Sequence, residues 1–241
     1  MIEVKNLTKE FDGISAVNDI SFEVKEGEVF AFLGPNGAGK TTTVNILSTL
    51  LAPTSGKAIV AGYDVTKEGI KIRRLIGYLP EDLGLYPNLT ITQNLNFFGG
   101  LYKINKNERK VRIEELLEFF DLWEKKNAHV STLSKGTKQK VSLAKAMIHN
   151  PEILFLDEPT SGLDPMMAKE VIELITKLKK EGKTILMTTH LLARAEKVCD
   201  SVALISEGEI LNTGKIAEIK SELKTSTLED VYFAVIGENH G

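Results

Sequence analysis

Gly34-Pro35-Asn36-Gly37-Ala38-Gly39-Lys40-Thr41-Thr42 combines residue types and a spacing that point to phosphate chemistry. The glycines let the backbone curl so that successive N–H groups point inward at phosphate oxygens, and a helix that follows adds its partial positive charge. Lys40 is placed to reach the β- and γ-phosphates, and the Thr41 hydroxyl to ligate Mg²⁺. A second group stands at Asp157-Glu158, directly after Ile153-Leu154-Phe155-Leu156. Carboxylates at the C-terminal end of a buried strand lie where open α/β sheets bind ligands. Asp157 would hold Mg²⁺ through water, and Glu158 would polarise the water that attacks the γ-phosphate. His190 ends the apolar run Thr184–Thr189 at the same kind of address and is placed to donate to that phosphate.

The elements that must position these groups are legible in the hydrophobic pattern. Val29–Leu33 reads as a buried strand before the phosphate loop, and Thr43–Leu51 as the helix after it, with apolar positions 44, 47 and 51. Before that strand, Ile2–Lys5, Ile20–Val24 and Glu28–Phe30 alternate like half-buried strands. Turn signals at Asp12-Gly13 and Glu26-Gly27 make the region antiparallel. Phe11, beside one of those turns, is either core or a platform for an adenine face. Pro53–Gly56 predicts a turn, Lys57–Gly62 a strand, and Leu75–Leu79 a strand ending at Pro80-Glu81-Asp82, whose acids suit a metal, a water or a solvated turn.

Residues 88–150 are mainly helical. Glu108–Trp123 carries an apolar stripe at 113, 116, 117 and 120, and the helix opening near Leu133-Ser134-Lys135-Gly136-Thr137 has Ser134 as a natural N-cap. In that last helix Val141, Ala144 and Ile148 read as the buried stripe, with Lys138, Ser142, Lys145 and His149 on another face. Asp164 and Pro165 have the N-cap and first-turn pattern of a further helix, and Gly182 ends it. A hairpin over residues 202–211, turning at Glu207-Gly208, and an amphipathic tail from Thr227 to Ile236 close the chain. The pattern predicts an α/β core over 1–87 and 151–241, with a C-terminal tail from about 221 to 241 and a helical subdomain at 88–150 inserted in it.

Composition narrows the classes. The chain has 241 residues, 42% hydrophobic and 26% charged, with net charge −3, which suits a globular protein and gives no sign of a nucleic-acid partner. No long apolar window spans a membrane and the N-terminus lacks a signal-peptide pattern, so a cytoplasmic protein is expected. One cysteine, Cys199, leaves no internal disulfide and reads as a small buried hydrophobe.

Taken together, the phosphate loop, the Asp157-Glu158 strand and the Leu133–Thr137 segment resemble the ATP-binding subunit of an ABC transporter over nearly the whole chain. The resemblance implies a P-loop NTPase (RecA-like) core with an antiparallel β subdomain and a helical insert specific to that family. Ser161-Gly162-Leu163-Asp164 matches the family's D-loop, His190 its switch histidine, Phe11 its adenine-stacking aromatic, and Leu133–Thr137 its signature. Tyr78-Leu79-Pro80-Glu81 and Leu228-Glu229-Asp230-Val231-Tyr232 are similar to subunits of ABC-2 type exporters. Two departures stand out: Lys135 and Thr137 replace the first glycine and the glutamine of the usual L-S-G-G-Q, and Glu81 replaces the Q-loop glutamine, keeping an oxygen for Mg²⁺ while adding a negative charge.

The resemblance implies two copies of the chain, or this chain and a homologous ATPase subunit, closing on two ATP molecules. Ser134 and Gly136 of one copy would then contact the nucleotide on the phosphate loop of the other. It further implies an integral membrane permease as partner and a position on the cytoplasmic face of the cell membrane. A soluble ABC ATPase serving cofactor (Fe–S) assembly is the alternative.

Overall fold

The computed structural model describes residues 1–239 and the side chains of 1–235; His240 and Gly241, at the end of the tail, lie outside the described residues. The chain opens with a long hairpin. β1 (Ile2–Phe11) pairs antiparallel with β2 (Ile14–Val24) around Asp12-Gly13, where both turn residues have positive φ. These strands are longer than the alternation at 2–5 and 20–24 predicts. The ladder shifts register between Val4 and Leu7 and again between Leu7 and Glu10, which breaks the period-2 signal without ending the pairing.

β3 (Val29–Leu33) is different from its expected neighbours in the antiparallel region. All five residues are buried, and it pairs in parallel with strands from the far end of the chain, so Glu28–Phe30 is the edge of a central core strand and not of a half-buried one. Burial on both faces explains why its side chains are uniformly apolar.

Helix α1 (Lys40–Leu47) begins earlier than predicted, on Lys40 itself, because Gly39 at φ +97 turns the chain from loop into helix. It ends at Leu47, and Thr49 at φ +64 stops the helix before Leu51. β4 (Ser55–Val60) starts within the expected turn, and β5 (Tyr63–Asp64) pairs with it. This completes an antiparallel sheet in the order β2-β1-β4-β5.

α2 (Gly69–Leu75) leads into β6 (Ile76–Leu79). Then come α3 (Ile91–Leu101), α4 (Lys106–Phe119) and α5 (Lys135–Ala146). Asn105 caps α4, which starts two residues before the predicted Glu108, and the helix stops at Phe119, short of Trp123. β7 (Ile153–Asp157), α6 (Pro165–Lys180), β8 (Thr184–Thr189), the short α7 (Leu192–Ala195), β9 (Ser201–Ser206), β10 (Glu209–Lys215), α8 (Ile216–Glu222) and α9 (Leu228–Asn239) follow.

The central sheet has the order β10-β9-β3-β8-β7-β6, parallel except for the β9–β10 hairpin. It separates two cores, because alternate side chains of a strand face opposite ways. Phe30 and Phe32 of β3 join the antiparallel sheet, α1 and α2, where Phe22 stacks on Phe30 with ring centroids 5.5 Å apart. Val29, Ala31 and Leu33 face the other core with α3 to α6, α8 and α9, including Leu228, Val231 and Val235 of the tail. α5 buries more than the stripe at 141, 144 and 148. Ser142 is also fully buried, because its hydroxyl donates to the Leu83 carbonyl across the helix packing.

Candidate functional site: a phosphate loop facing two carboxylates and a histidine

The loop 34–39 lies at the C-terminal edge of β3, held between β9 and β8. A Cβ on Gly34 would stand 2.0 Å from the Ile205 carbonyl oxygen, and one on Gly39 2.4 Å from that of Ala16, so both positions admit only glycine. Lys40 is buried at the start of α1 and its ammonium folds back onto the loop, donating to the carbonyls of Gly34 at 2.7 Å and Pro35 at 2.9 Å. Burial holds this ammonium below the ordinary lysine pKa, while the carboxylates of Glu158, Asp157 and Glu81 pull the other way. A charge so placed gains most from an anion that displaces the carbonyls.

β7 brings its two acids to the same edge. Asp157 is 1% exposed, and its Oδ1 accepts from the Thr41 hydroxyl at 3.1 Å and from the Thr188 hydroxyl at 2.5 Å. Glu158 stands at φ +47, a left-handed conformation that costs a non-glycine residue roughly 1–3 kcal/mol. Its backbone N–H is held there by donating to the Thr188 oxygen at 2.9 Å. Its Oε1 lies 3.0 Å from His190 Nδ1 and 3.8 Å from Lys40 Nζ. Asp157 Oδ2 and Glu158 Oε2 are buried with no hydrogen-bond partner. Two orphaned carboxylate oxygens beside a buried ammonium and a threonine hydroxyl form an oxygen-rich donor set. It fits a Mg²⁺ that keeps waters and takes phosphate oxygens.

These groups share one cavity of about 360 Å³, lined by Asn36, Gly37, Gly39 to Thr42, Glu81, Glu158, Ser161 and His190. The fold brings the phosphate loop, Glu81, Asp157, Glu158 and His190 to one sheet edge. Gly34, Pro35, Ala38 and Asp157 belong to the loop and strand behind its lining, and Phe11, Ser134, Gly136 and Asp164 do not line it either. Phe11 is 45% exposed at the β1–β2 turn, with the Lys9 ammonium 4.9 Å from its ring centre. Ser134 caps α5, its oxygen accepting from Thr137 N at 3.3 Å, and Gly136 is buried against Met167. Asp164 caps α6 through Met166 N and Met167 N. Thr188 is the residue that sequence reasoning misses. Its only signal is its register opposite Asp157, which appears once β7 and β8 pair.

Fold and site together define a P-loop nucleotide-binding protein of the RecA-like α/β class. Residues 17–161 match the model of the ABC transporter family, so the chain belongs to that family and is an ATP-binding, ATP-hydrolysing cassette. It is 36% identical to the linearmycin resistance ATP-binding protein LnrL of Bacillus subtilis, over 99% of this chain and 76% of that one. A solved ATP-binding subunit of an ABC transporter is 32% identical and superposes with TM-score 0.87 over 98% of this chain and 99% of its own. A dimeric ATP-binding cassette in a post-hydrolysis state bound to ADP and Pi is 30% identical, with TM-score 0.82 over 90% of this chain and 99% of its own. ATPase subunits of this family dimerise and work with membrane permeases. Among the described residues no helix is long and apolar enough to cross a membrane.

Proposed function

We propose that this chain is the ATPase of an exporter, closing with a second copy of itself or a homologous subunit over two ATP molecules. Glu158 is the general base for hydrolysis: the observation that carries this is its Oε1, 3.0 Å from His190 and 3.8 Å from Lys40 at the mouth of the phosphate loop. His190 orients that carboxylate and meets the γ-phosphate. Lys40 exchanges its two loop carbonyls for β- and γ-phosphate oxygens, and the N–H groups of residues 34–42 hold the rest. Thr41, Asp157 and Glu81 would hold Mg²⁺, which supplies charge neutralisation on the phosphates. Glu81 brings a charge where a glutamine would bring none.

Phe11 stacks on the adenine. Ser134 and Gly136 act across the dimer, and Asp164 fixes the loop between them. In this reading their absence from the cavity of a single chain is expected, since the site is complete only between two chains.

Residues 88–150 act as a lobe that meets the permease, with 1–87 and 151–241 as the ATP-binding core and 221–241 as its tail. Support comes from a contiguous surface of Ile70, Arg73, Phe98, Leu101 and Tyr102, in which Ile70 is 67% exposed and Leu101 62%. Such apolar exposure suits a protein partner, and the exporter-like tail 228–232 favours transport over a soluble assembly role. The resistance function named for the Bacillus relative supports export, and with a permease as partner the chain would sit on the cytoplasmic face of the cell membrane.

The test is Glu158→Gln with ATP on a sizing column. Removing the base stops turnover, so the variant is expected to elute as a dimer with ATP and as a monomer without it. Persistence as a monomer with saturating ATP refutes the sandwich.

A further inference from the structure

Residues 80–85 carry Glu81 between the end of β6 and the 86–90 turn. Pro80 has no N–H to give, and Gly84 N donates only within the segment, to Asp82 Oδ1 at 3.4 Å. Leu83 and Leu85 pack against the core shared with α3 to α6. Among the described residues, the hydrogen bonds that tie this segment to the rest of the fold both end on one atom, the Leu83 carbonyl oxygen. Ser142 Oγ donates to it at 3.1 Å and Lys145 Nζ at 2.5 Å, from positions one turn apart on α5. The Glu81 carboxylate lines the nucleotide cavity, yet no hydrogen bond or ion pair among the described residues holds it there, so its place is set by its backbone.

A charge at Lys145 is expensive. The side chain lines a cavity of about 250 Å³ with Pro80, Phe98, Tyr102 and Ala146, and burial pushes its pKa down to about 8 against the pull of Asp82. None of the ion pairs among the described residues includes it; besides the Leu83 oxygen the ammonium has the Phe98 ring, its centre 5.2 Å away. An apolar side chain of the same length would fill this space without the desolvation, and Ser142 alone would satisfy the carbonyl. What Lys145 adds is direction. Two donors on the two lone pairs of one oxygen fix the plane of that peptide, where a single donor leaves it free to turn. The chain then bends against the ammonium: Gly84 stands at φ +57, with its Cβ position 3.4 Å from Lys145 Nζ.

We infer that Lys145 is a positioning residue for Glu81: with Ser142 it fixes the Leu83 peptide, and so holds the 80–84 segment where the Glu81 carboxylate meets the nucleotide cavity. This role rests on the Mg²⁺ set proposed above, in which Glu81 joins Thr41 and Asp157.

The experiment is calorimetric titration of the purified chain with the β,γ-imido analogue of ATP, in Mg²⁺ and again in EDTA. The ratio of the two Kd values is the gain that Mg²⁺ brings. Lys145→Met is expected to lower that gain about tenfold, the low end for a group that orients a metal ligand from behind, with the Kd in EDTA unchanged. Its unfolding temperature should be no lower than that of wild type, because a desolvated charge is gone and Ser142 still serves the carbonyl. A merely structural lysine gives the reverse, a lower unfolding temperature with the gain intact. Lys145→Arg keeps a charged donor and recovers most of the gain, and Ser142→Ala, which removes the other donor, loses part of it. Glu81→Ala lowers the gain at least as far as Lys145→Met, and combining the two lowers it no further, because both act through one carboxylate. A Lys145→Met chain with the wild-type gain, or losses that multiply in the double variant, overturns the inference. If Glu81→Ala loses the gain while Lys145→Met keeps it, only the role of Lys145 falls; if Glu81→Ala itself keeps the wild-type gain, the place of Glu81 in the Mg²⁺ set falls with it.

Discussion

Replacing Thr188 by valine removes one hydroxyl from a fully buried position and nearly nothing of its volume. That hydroxyl serves two groups: it donates to Asp157 Oδ1 at 2.5 Å and accepts from the Glu158 backbone N–H at 2.9 Å. The hydrogen bond to the carboxylate is worth about 1.5–3 kcal/mol and the stranded N–H costs about 1–3 kcal/mol. Asp157 keeps the Thr41 hydroxyl at 3.1 Å, so the low ends apply and the sum is about 2.5 kcal/mol. For a chain of this size that lowers the melting temperature by about 5–10 °C. Catalysis suffers separately. The N–H bond is what holds Glu158 at φ +47, and its loss frees the carboxylate from His190. We expect kcat to fall at least about tenfold with a smaller change in KM, the pattern of an interaction that matters chiefly in the transition state. Thermal unfolding by circular dichroism and steady-state ATPase rates measure both effects. Thr188→Ser retains the hydroxyl and is expected to recover most of each. A valine variant within about 0.5 kcal/mol of wild type, turning over at the wild-type rate, would refute the reasoning.

Other consequences are as direct. Gly39→Ala puts a methyl against the Ala16 carbonyl at φ +97; ATP binding measured by calorimetry should be lost or weakened at least about tenfold, since the loop cannot keep its curl. Asn94 is fully buried and spans the 86–90 turn, accepting from Tyr86 N and donating to the carbonyls of Tyr86, Leu89 and Thr90. Asn94→Ala should cost about 2–4 kcal/mol in urea unfolding, and a loss below about 0.5 kcal/mol would contradict this account. Burial pushes the His149 imidazole down to about 4, below the ordinary 6.5. Between those values the unfolded chain takes up a proton that the folded chain refuses. Stability should therefore fall as pH drops from 6.5 to 4, by at most about 1.4 kcal/mol per unit from this group. His149→Phe, which keeps a ring to stack on Tyr102, should flatten that slope in unfolding curves across the range.

Much of the site was legible because its chemistry is local. The phosphate loop encodes its own backbone through glycines, Asp157 and Glu158 close an apolar strand, and His190 follows a buried strand with an apolar centre at 185–187, which fixes the end of the sheet they occupy. What the sequence concealed depends on pairing. Thr188 is one of several threonines in β8, and only its register with Asp157 on β7 singles it out. The hairpin of β1 and β2 is longer than its alternation predicts because its register shifts interrupt the pattern that marks a strand. The pattern of β3 fits both a buried strand and the antiparallel region. Its partners β8 and β9 come from residues 184–206, a separation that periodicity carries no trace of. The buried faces of α5 exceed its apolar stripe for a similar reason: Ser142 is covered because Leu83, far away in sequence, offers a carbonyl.

The route from β6 to β7 has one more consequence. These strands are parallel neighbours, so the helices between them leave the sheet at its upper rim, beside Glu81, and rejoin it at the opposite rim, where His149 Nε2 lies 2.9 Å from the Ile76 carbonyl oxygen. Such a segment is hung like a door, with one hinge above and one below, and the line between them runs along the strands for roughly 13 Å at about 3.3 Å per residue. The two attachments define a single axis for any rigid turn of the helices, and the upper one, at Glu81, is the one that reaches into the nucleotide cavity.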